Sequence, residues 1–374
     1  MIKDLRAQLA VPAGAIALSL LVGAVVLIAS SPLVKGFDPL LPLTTYGALI
    51  EGSVLSLDAL VETAVNATPL ILVGLAVGLG FKAGIFNIGG QGQFLMGALA
   101  SAGAGAALAH SGPFVAVPLA LLAGVIAGAV YGFIPGFLKA YTGAHEVVTT
   151  IMLNYIAAQI VGAFITGPLR DPGSSFARSP DVVDAALPGI VNAGRAHEGT
   201  IGLIFPVIIV PIIFWLLYRS TIGFEIRTVG ANPDAARYAG MRPRRIVILA
   251  LTLGGALAGL GGATEILGVT RYLPAAYSTN IGFDAITVAL LGRAHPIGIV
   301  FAGLLFGAMR AGAGLMQVKA GIPVQMIDVL QGVILFFLAA ELVVRRVFRM
   351  RAAKADVDEL KTVTASYGGG TMAQ

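Results

Sequence analysis

The sequence predicts an all-α, polytopic membrane bundle of about ten transmembrane helices, and three observations carry that reading. Of 374 residues, 57% are hydrophobic and only 11% are charged, where a soluble domain carries about a quarter charged residues. Apolar runs of about 20 residues recur, the length a helix needs to cross roughly 30 Å of hydrocarbon. Basic residues gather in alternate connections, as membrane orientation demands. Helices are the expected form because lipid offers backbone groups no partners, and the period-two alternation of a membrane barrel is nowhere sustained. The 49 glycines would each cost a helix in water about 1 kcal/mol, but in lipid they let backbones approach. Cysteine is absent, which excludes a disulfide framework, a thiolate metal site and a cysteine nucleophile.

The first run, near 9–31, follows Lys3 and Arg6. It exceeds the apolar core of a cleaved signal, about 7 to 15 residues, so it is read as a retained span. Further spans are read near 61–80, 91–109, 114–136, 147–166, 201–218, 246–268, 283–292, 297–315 and 323–344, the one at 283–292 being short. With the N-terminus inside, Lys82, Lys139, Arg219, Arg227, Arg237, Arg242, Arg244, Arg245, Arg293 and the basic residues from Arg345 to Lys361 join Lys3 and Arg6 in the cytoplasm. That is roughly 17 of the 24 basic residues. Both termini are therefore expected in the cytoplasm, and the basic balance reports topology rather than nucleic-acid binding. Segments 32–60 and 167–200 read as outside loops, the second carrying Arg178, Asp181, Asp184 and Glu198. Residues 1–351 form the predicted transmembrane domain. The polar tail 352–374, with Gly368-Gly369-Gly370, is predicted disordered.

Small residues recur every four positions at Gly124, Gly128, Gly132 and Gly136, and again at Gly97, Ser101 and Gly105. Such faces bring helices close without naming a cargo. Polar groups inside apolar runs are more informative. Between Lys82 and Gln93 a glycine-broken stretch offers Asn87, Gln91 and Gln93, either as a plain cytoplasmic turn or as non-helical backbone bordering a translocation path. Glu146, Thr150 and Asn154 stand four apart and share one helix face, which wants water, a substrate or another helix. Glu265, Asp284, Arg310 and Asp328 fall in the outer halves of their spans. A charge at a helix centre costs about 3 kcal/mol even on lenient scales, so an ion pair of Arg310 with one of the carboxylates is expected.

The connection from Gly230 to Gly240 specifies a helix of two turns. Asn232 suits the cap, Pro233 the first helical position, Asp234 the positive helix start and Gly240 the left-handed residue beyond the end, with Ala235 and Tyr238 between. Too short to stand alone, it is expected to pack on the bundle or on a partner. No G-x-x-x-x-G-K-[ST] phosphate loop occurs, so an ATPase driving transport would be another chain. His110, His145, His197 and His295 lack metal-ligand spacing.

Gly84-Ile85-Phe86-Asn87-Ile88-Gly89-Gly90-Gln91-Gly92-Gln93, Glu146-Val147-Val148-Thr149-Thr150-Ile151-Met152-Leu153-Asn154-Tyr155, Val229-Gly230-Ala231-Asn232-Pro233 to Gly240, and Leu291-Gly292-Arg293-Ala294-His295-Pro296, in that order, resemble the permeases of bacterial ABC importers. The likeness covers about residues 60–345 and is nearest to the branch importing nucleosides, related to permeases for ribose-type sugars and branched-chain amino acids. It implies an inner-membrane subunit that binds no cofactor and catalyses nothing. Its implied partners are a second, different permease, ATPase subunits that use ATP, and an extracytoplasmic binding lipoprotein. It also implies that Asn232 to Gly240 is the coupling helix seated in the ATPase, and that Arg293 and His295 are structural. Nucleoside is the expected cargo and simple sugar the alternative. A carrier driven by an ion gradient would want carboxylates near the midplane, and a membrane enzyme would want a clustered acid, base or metal site.

Overall fold

The computed structural model describes residues 2–34, 37–191, 199–275, 277, 280–340, 343, 344 and 347, and of 2–10, 30 and 32–34 the backbone alone. The tail 352–374 lies outside the described residues, as do Lys35, Arg195, His197, Glu198, Arg345, Arg346, Arg349 and Arg351. Helices follow one another as α1 (Ile2–Val34), α2 (Leu41–Val54), α3 (Leu57–Lys82), α4 (Gly90–Ala107), α5 (Pro113–Thr142), α6 (Glu146–Thr166), α7 (Ile204–Arg219), α8 (Thr221–Ala231), α9 (Pro233–Tyr238), α10 (Pro243–Glu265), α11 (Ile281–Leu291), α12 (Pro296–Ala320) and α13 (Met326–Ala339). A small antiparallel ribbon pairs β1 (Gly189–Val191) with β2 (Gly199–Thr200).

Local chemistry sets the boundaries. The Ser56 hydroxyl caps α3 by accepting from the Ala59 amide at 3.1 Å. Prolines open α5, α10 and α12, where a missing amide hydrogen costs nothing. Left-handed Gly143 and Gly321 close α5 and α12.

Each predicted span is a helix, but only seven of the described helices, α1, α3, α5, α6, α7, α10 and α12, are long and apolar enough to cross a membrane. Of the others, α4 opens with Gln91 and Gln93, and α11 and α13 have 11 and 14 residues. The count of about ten therefore combines full crossings with partial ones. The two segments read as outside carry structure of their own. Segment 32–60 contains α2, which packs on α12 and ties to it through Lys319 and Glu51 at 2.6 Å. The described part of the second, residues 167–191, is bound over the end of α10: the amides of Ser179, Val182 and Leu187 donate to the carbonyls of Leu273, Arg271 and Leu267. Arg178 pins this cover, pairing with Asp171 at 3.2 Å and Asp181 at 3.1 Å and stacking over the Tyr272 ring at 4.8 Å.

At the centre stand α3 and α10, 83% and 67% buried along their apolar windows, against 22% for α7 and 28% for α5 and α6. As α10 rises from Gly254 to Gly261, its neighbours on α3 fall from Ala76 to Pro69, so the two run antiparallel. Each packs hardest on a helix of the other half, α3 on α12 and α10 on α5, while α4 lies on α10 as α11 lies on α3. The contacts of α3 to α6 are thus repeated, inverted, by α10 to α13, which is the inverted repeat of many transporters. The predicted glycine face of α5 makes its contact with α10 possible. A Cβ at Gly128 would strike the Gly255 carbonyl oxygen, so the helices touch backbone to backbone.

Candidate functional site

The chain doubles back after α3. Residues 83–89 are non-helical, the Ile85 amide returns to the Gly80 carbonyl at 2.9 Å, and a Cβ on Gly90 would meet Val73 and Val77. Helix α4 therefore starts roughly 8 to 14 Å inside the Lys82 end of α3, not at that end. Its counterpart behaves alike: before α11 the chain re-enters, with the Tyr277 ring stacked on Phe94 at 6.5 Å. The two helix starts meet where the Gly282 amide donates to Gln91 Oε1 at 2.8 Å, and a Cβ on Gly282 would collide with the Gln91 backbone.

Buried backbone without water must find every partner within the protein, and the predicted path residues supply them. Asn87 Oδ1 accepts from the Gly89 amide at 3.0 Å, while Asn87 Nδ2 donates to Gln93 Oε1 at 3.2 Å. Asn154 reaches across from α6, accepting from the Gly92 amide at 2.8 Å and donating to the Ile88 carbonyl at 2.9 Å. Gly92 belongs to the first turn of α4, whose amides have no helical partner, and the capping residue Gly89 has no side chain. Asn154 therefore performs the capping from another helix. Thr150 donates to the Glu146 carbonyl at 2.6 Å and lies close against Gly89. Glu146, at the start of α6, pairs with Lys139 at 2.7 Å. Asn87, Gln91, Gln93, Thr150 and Asn154 are thus one buried constellation, with Glu146 below it.

Among the charged candidates, Arg310 of α12 pairs with Asp284 of α11. Glu265 accepts from the Tyr277 hydroxyl at 3.2 Å. Asp328 is exposed in the first turn of α13. Groups of three or more His, Cys, Asp or Glu able to hold a metal are absent among the described residues.

The short capped helix is α9. Asn232 Oδ1 accepts from the amides of Asp234 and Ala235 at 3.0 Å each, and Gly240 takes its left-handed φ of 83°. Ala236 is buried and anchors the helix, while Tyr238 stands 94% exposed. Two residues before the cap, Gly230 lies against Lys82 to Gly84 so closely that a Cβ would strike the Lys82 carbonyl oxygen. Gly84, with φ of 71°, is the first turn of the re-entrant segment. The connection carrying α9 is therefore in backbone contact with the stretch leading to Asn87 and Gln91. Nearby His295 packs between Phe214 at 5.9 Å and Tyr218 at 5.4 Å, and Arg227 lies over the Tyr218 ring at 5.1 Å. Burial, and then the charge of Lys82, push the His295 pKa below its ordinary value.

Sequence reasoning does not find Gly282, Tyr131, which donates to the Leu153 carbonyl at 2.6 Å, or Lys139 as the partner of Glu146. Only Gly282 carries a signal, a glycine in the first turn of a short helix as at Gly90 and Gly92.

The model of the family described as branched-chain amino acid transport system / permease component matches residues 59–339. The guanosine ABC transporter permease protein NupP of Bacillus subtilis is 37% identical over 92% of this chain and 97% of its own length. The glucose ABC transporter permease protein TsgB13 of Haloferax volcanii is 35% identical over 79% of this chain and 80% of its own. The nucleoside ABC transporter permease protein NupB of Lactococcus lactis is 35% identical over 89% and 91%. Each of these organisms also holds a second, more distant relative, such as the guanosine permease NupQ of Bacillus subtilis at 27% over 66% of this chain and 78% of its own, the others being 26% and 25% identical. No solved structure matches. With its inverted helical bundle, buried re-entrant crossing and exposed capped helix, the chain belongs to the branched-chain amino acid transport system / permease component family.

Proposed function

We propose that the chain is one of two different permease subunits in the inner membrane of an ATP-driven importer, and that the importer carries nucleosides. The observation carrying the mechanism is the backbone contact of Gly230 with Lys82 to Gly84, which joins an exposed helix to the interior crossing. In this reading the basic end of the bundle faces the cytoplasm, and a partner ATPase grips α9 through Tyr238, Asp234 and Arg237. Closure of the ATPases on ATP moves α9, and the Gly230 contact passes the motion to the re-entrant segment. Residues Asn87, Gln91, Gln93, Thr150 and Asn154 hold that segment beside the path, with Glu146 fixing the base of α6. The chain binds no cofactor and does no covalent chemistry; its part is to be stable in two states that ATP and cargo populate differently. Cargo would arrive on an extracytoplasmic binding lipoprotein.

Nucleoside is favoured over sugar by relatives named for guanosine and nucleoside transport, NupP matching nearly end to end. The glucose permease TsgB13 keeps simple sugar as the second reading. Labelled guanosine, adenosine, uridine, ribose and glucose would be offered to cells with and without the gene. Loss of nucleoside uptake alone, with uptake surviving an uncoupler but not ATP depletion, is expected. Loss of sugar uptake alone would replace the cargo, and arrest by the uncoupler with ATP intact would remove the ATP-driven mechanism.

A further inference from the structure

Helix α6 buries Glu146, Thr150 and Asn154 on one face and packs chiefly on α4, with a lighter contact to α5. Its opposite face has no partner among the described residues. Met152, Tyr155, Gln159 and Ala163 recur three or four residues apart and are all exposed, Tyr155 by 67%. Gln159 lies more than three turns beyond Glu146, roughly 20 Å along a crossing of about 30 Å. Its amide is therefore inside the hydrocarbon layer, and it makes no hydrogen bond among the described residues.

The neighbouring spans differ. The exposed faces of α5 and α7 carry Leu122, Ile126 and Val130, and Ile208, Ile212 and Trp215, side chains that lipid covers without loss. A primary amide has two donor hydrogens and an acceptor oxygen, and acyl chains satisfy none of them. The face of α6 therefore calls for an occupant with hydrogen-bonding groups at that depth. Each of the three organisms with a relative at 35% to 37% identity also carries one at 25% to 27%. That pattern fits a pair of unlike permeases.

We infer that the Tyr155–Gln159 face of α6 is the seam with the second, different permease subunit, Gln159 hydrogen-bonding across it and Tyr155 packing into the partner. This rests on the two-permease reading above. The two faces of α6 then have separate tasks. The inner face caps α4, so any shift of the re-entrant segment is carried by the same helix to the seam.

A photo-crosslinking phenylalanine analogue placed at Tyr155, and in a separate variant at Trp215, would be activated in native membranes and the adducts identified by mass spectrometry. From Tyr155 the expected product is one adduct with a distinct polytopic permease of the same family, and from Trp215 no protein adduct. An adduct with a second copy of this chain, with a protein of another family, or with no protein while transport is intact overturns the seam. The cross-link is read without regard to cargo. A permease adduct in cells that import no nucleoside would sink the cargo and leave the seam, whereas normal nucleoside uptake with no adduct from Tyr155 would do the reverse.

Discussion

Asn154 shows how one side chain can hold a piece of irregular backbone inside a membrane. Its amide closes both the Gly92 N–H and the Ile88 carbonyl, groups with no water to turn to. Leaving each unmet costs about 1–3 kcal/mol. Asn154→Leu is therefore expected to lower the melting temperature of the detergent-purified chain by several degrees and to abolish transport, whereas Val148→Leu on the exposed side should do neither. The spacing of Glu146, Thr150 and Asn154 is enough to place them on one face; what they face depends on a re-entrant segment far away in sequence. The Arg310–Asp284 pair is legible as one charge with several candidate partners, because spacing along the chain does not rank carboxylates on different helices. Removing one partner of such a pair costs about 3–5 kcal/mol, while replacing both by apolar groups is nearly neutral. Arg310→Met should accumulate poorly and the double variant with Asp284→Leu should accumulate better, as immunoblots of membranes would show. His295 has its pKa lowered in the fold, so it adds stability fully present above the ordinary value of 6.5 and lost as pH falls through the lowered one. His295→Phe, keeping the ring contacts, should flatten the decline in melting temperature between pH 7.5 and pH 5.

At the scale of elements, α9 was the most legible, since its start and stop are written in Asn232, Pro233 and Gly240. Its consequence was not, because the contact that matters is Gly230 against Lys82 to Gly84, two glycine backbones brought together from distant parts of the chain. Gly230→Val should separate them, lowering uptake while α9 itself stays folded on its Asn232 cap; intact exchange protection of α9 with normal uptake would disconnect the contact from coupling. Helix α2 escaped because 14 residues are too few to cross, so a length criterion reads them as loop. Helix α11 reads as short from its sequence, yet only the pairing of Gly282 with Gln91 explains why: it begins inside the bundle, not at a surface.

For the whole molecule, composition and charge placement suffice for a helical membrane bundle, and the run boundaries fall close to the helices. The inverted relation of α3 to α6 with α10 to α13 emerges from the contacts between helices, which the order of residues along the chain does not display. Its centre is the crossing of α4 and α11, where Gly282 meets Gln91; under the proposed function a relative motion of the halves there opens one side and closes the other. In the proposed reading, handing that motion to an ATPase requires a handle outside the bundle, and Tyr238, 94% exposed on α9, stands clear of the fold. The most direct measurement is nucleoside uptake by cells carrying Tyr238→Asp at the membrane level of the unaltered chain. Uptake falling to that of cells without the gene is the predicted result; uptake equal to the unaltered chain would contradict the coupling of α9 to transport.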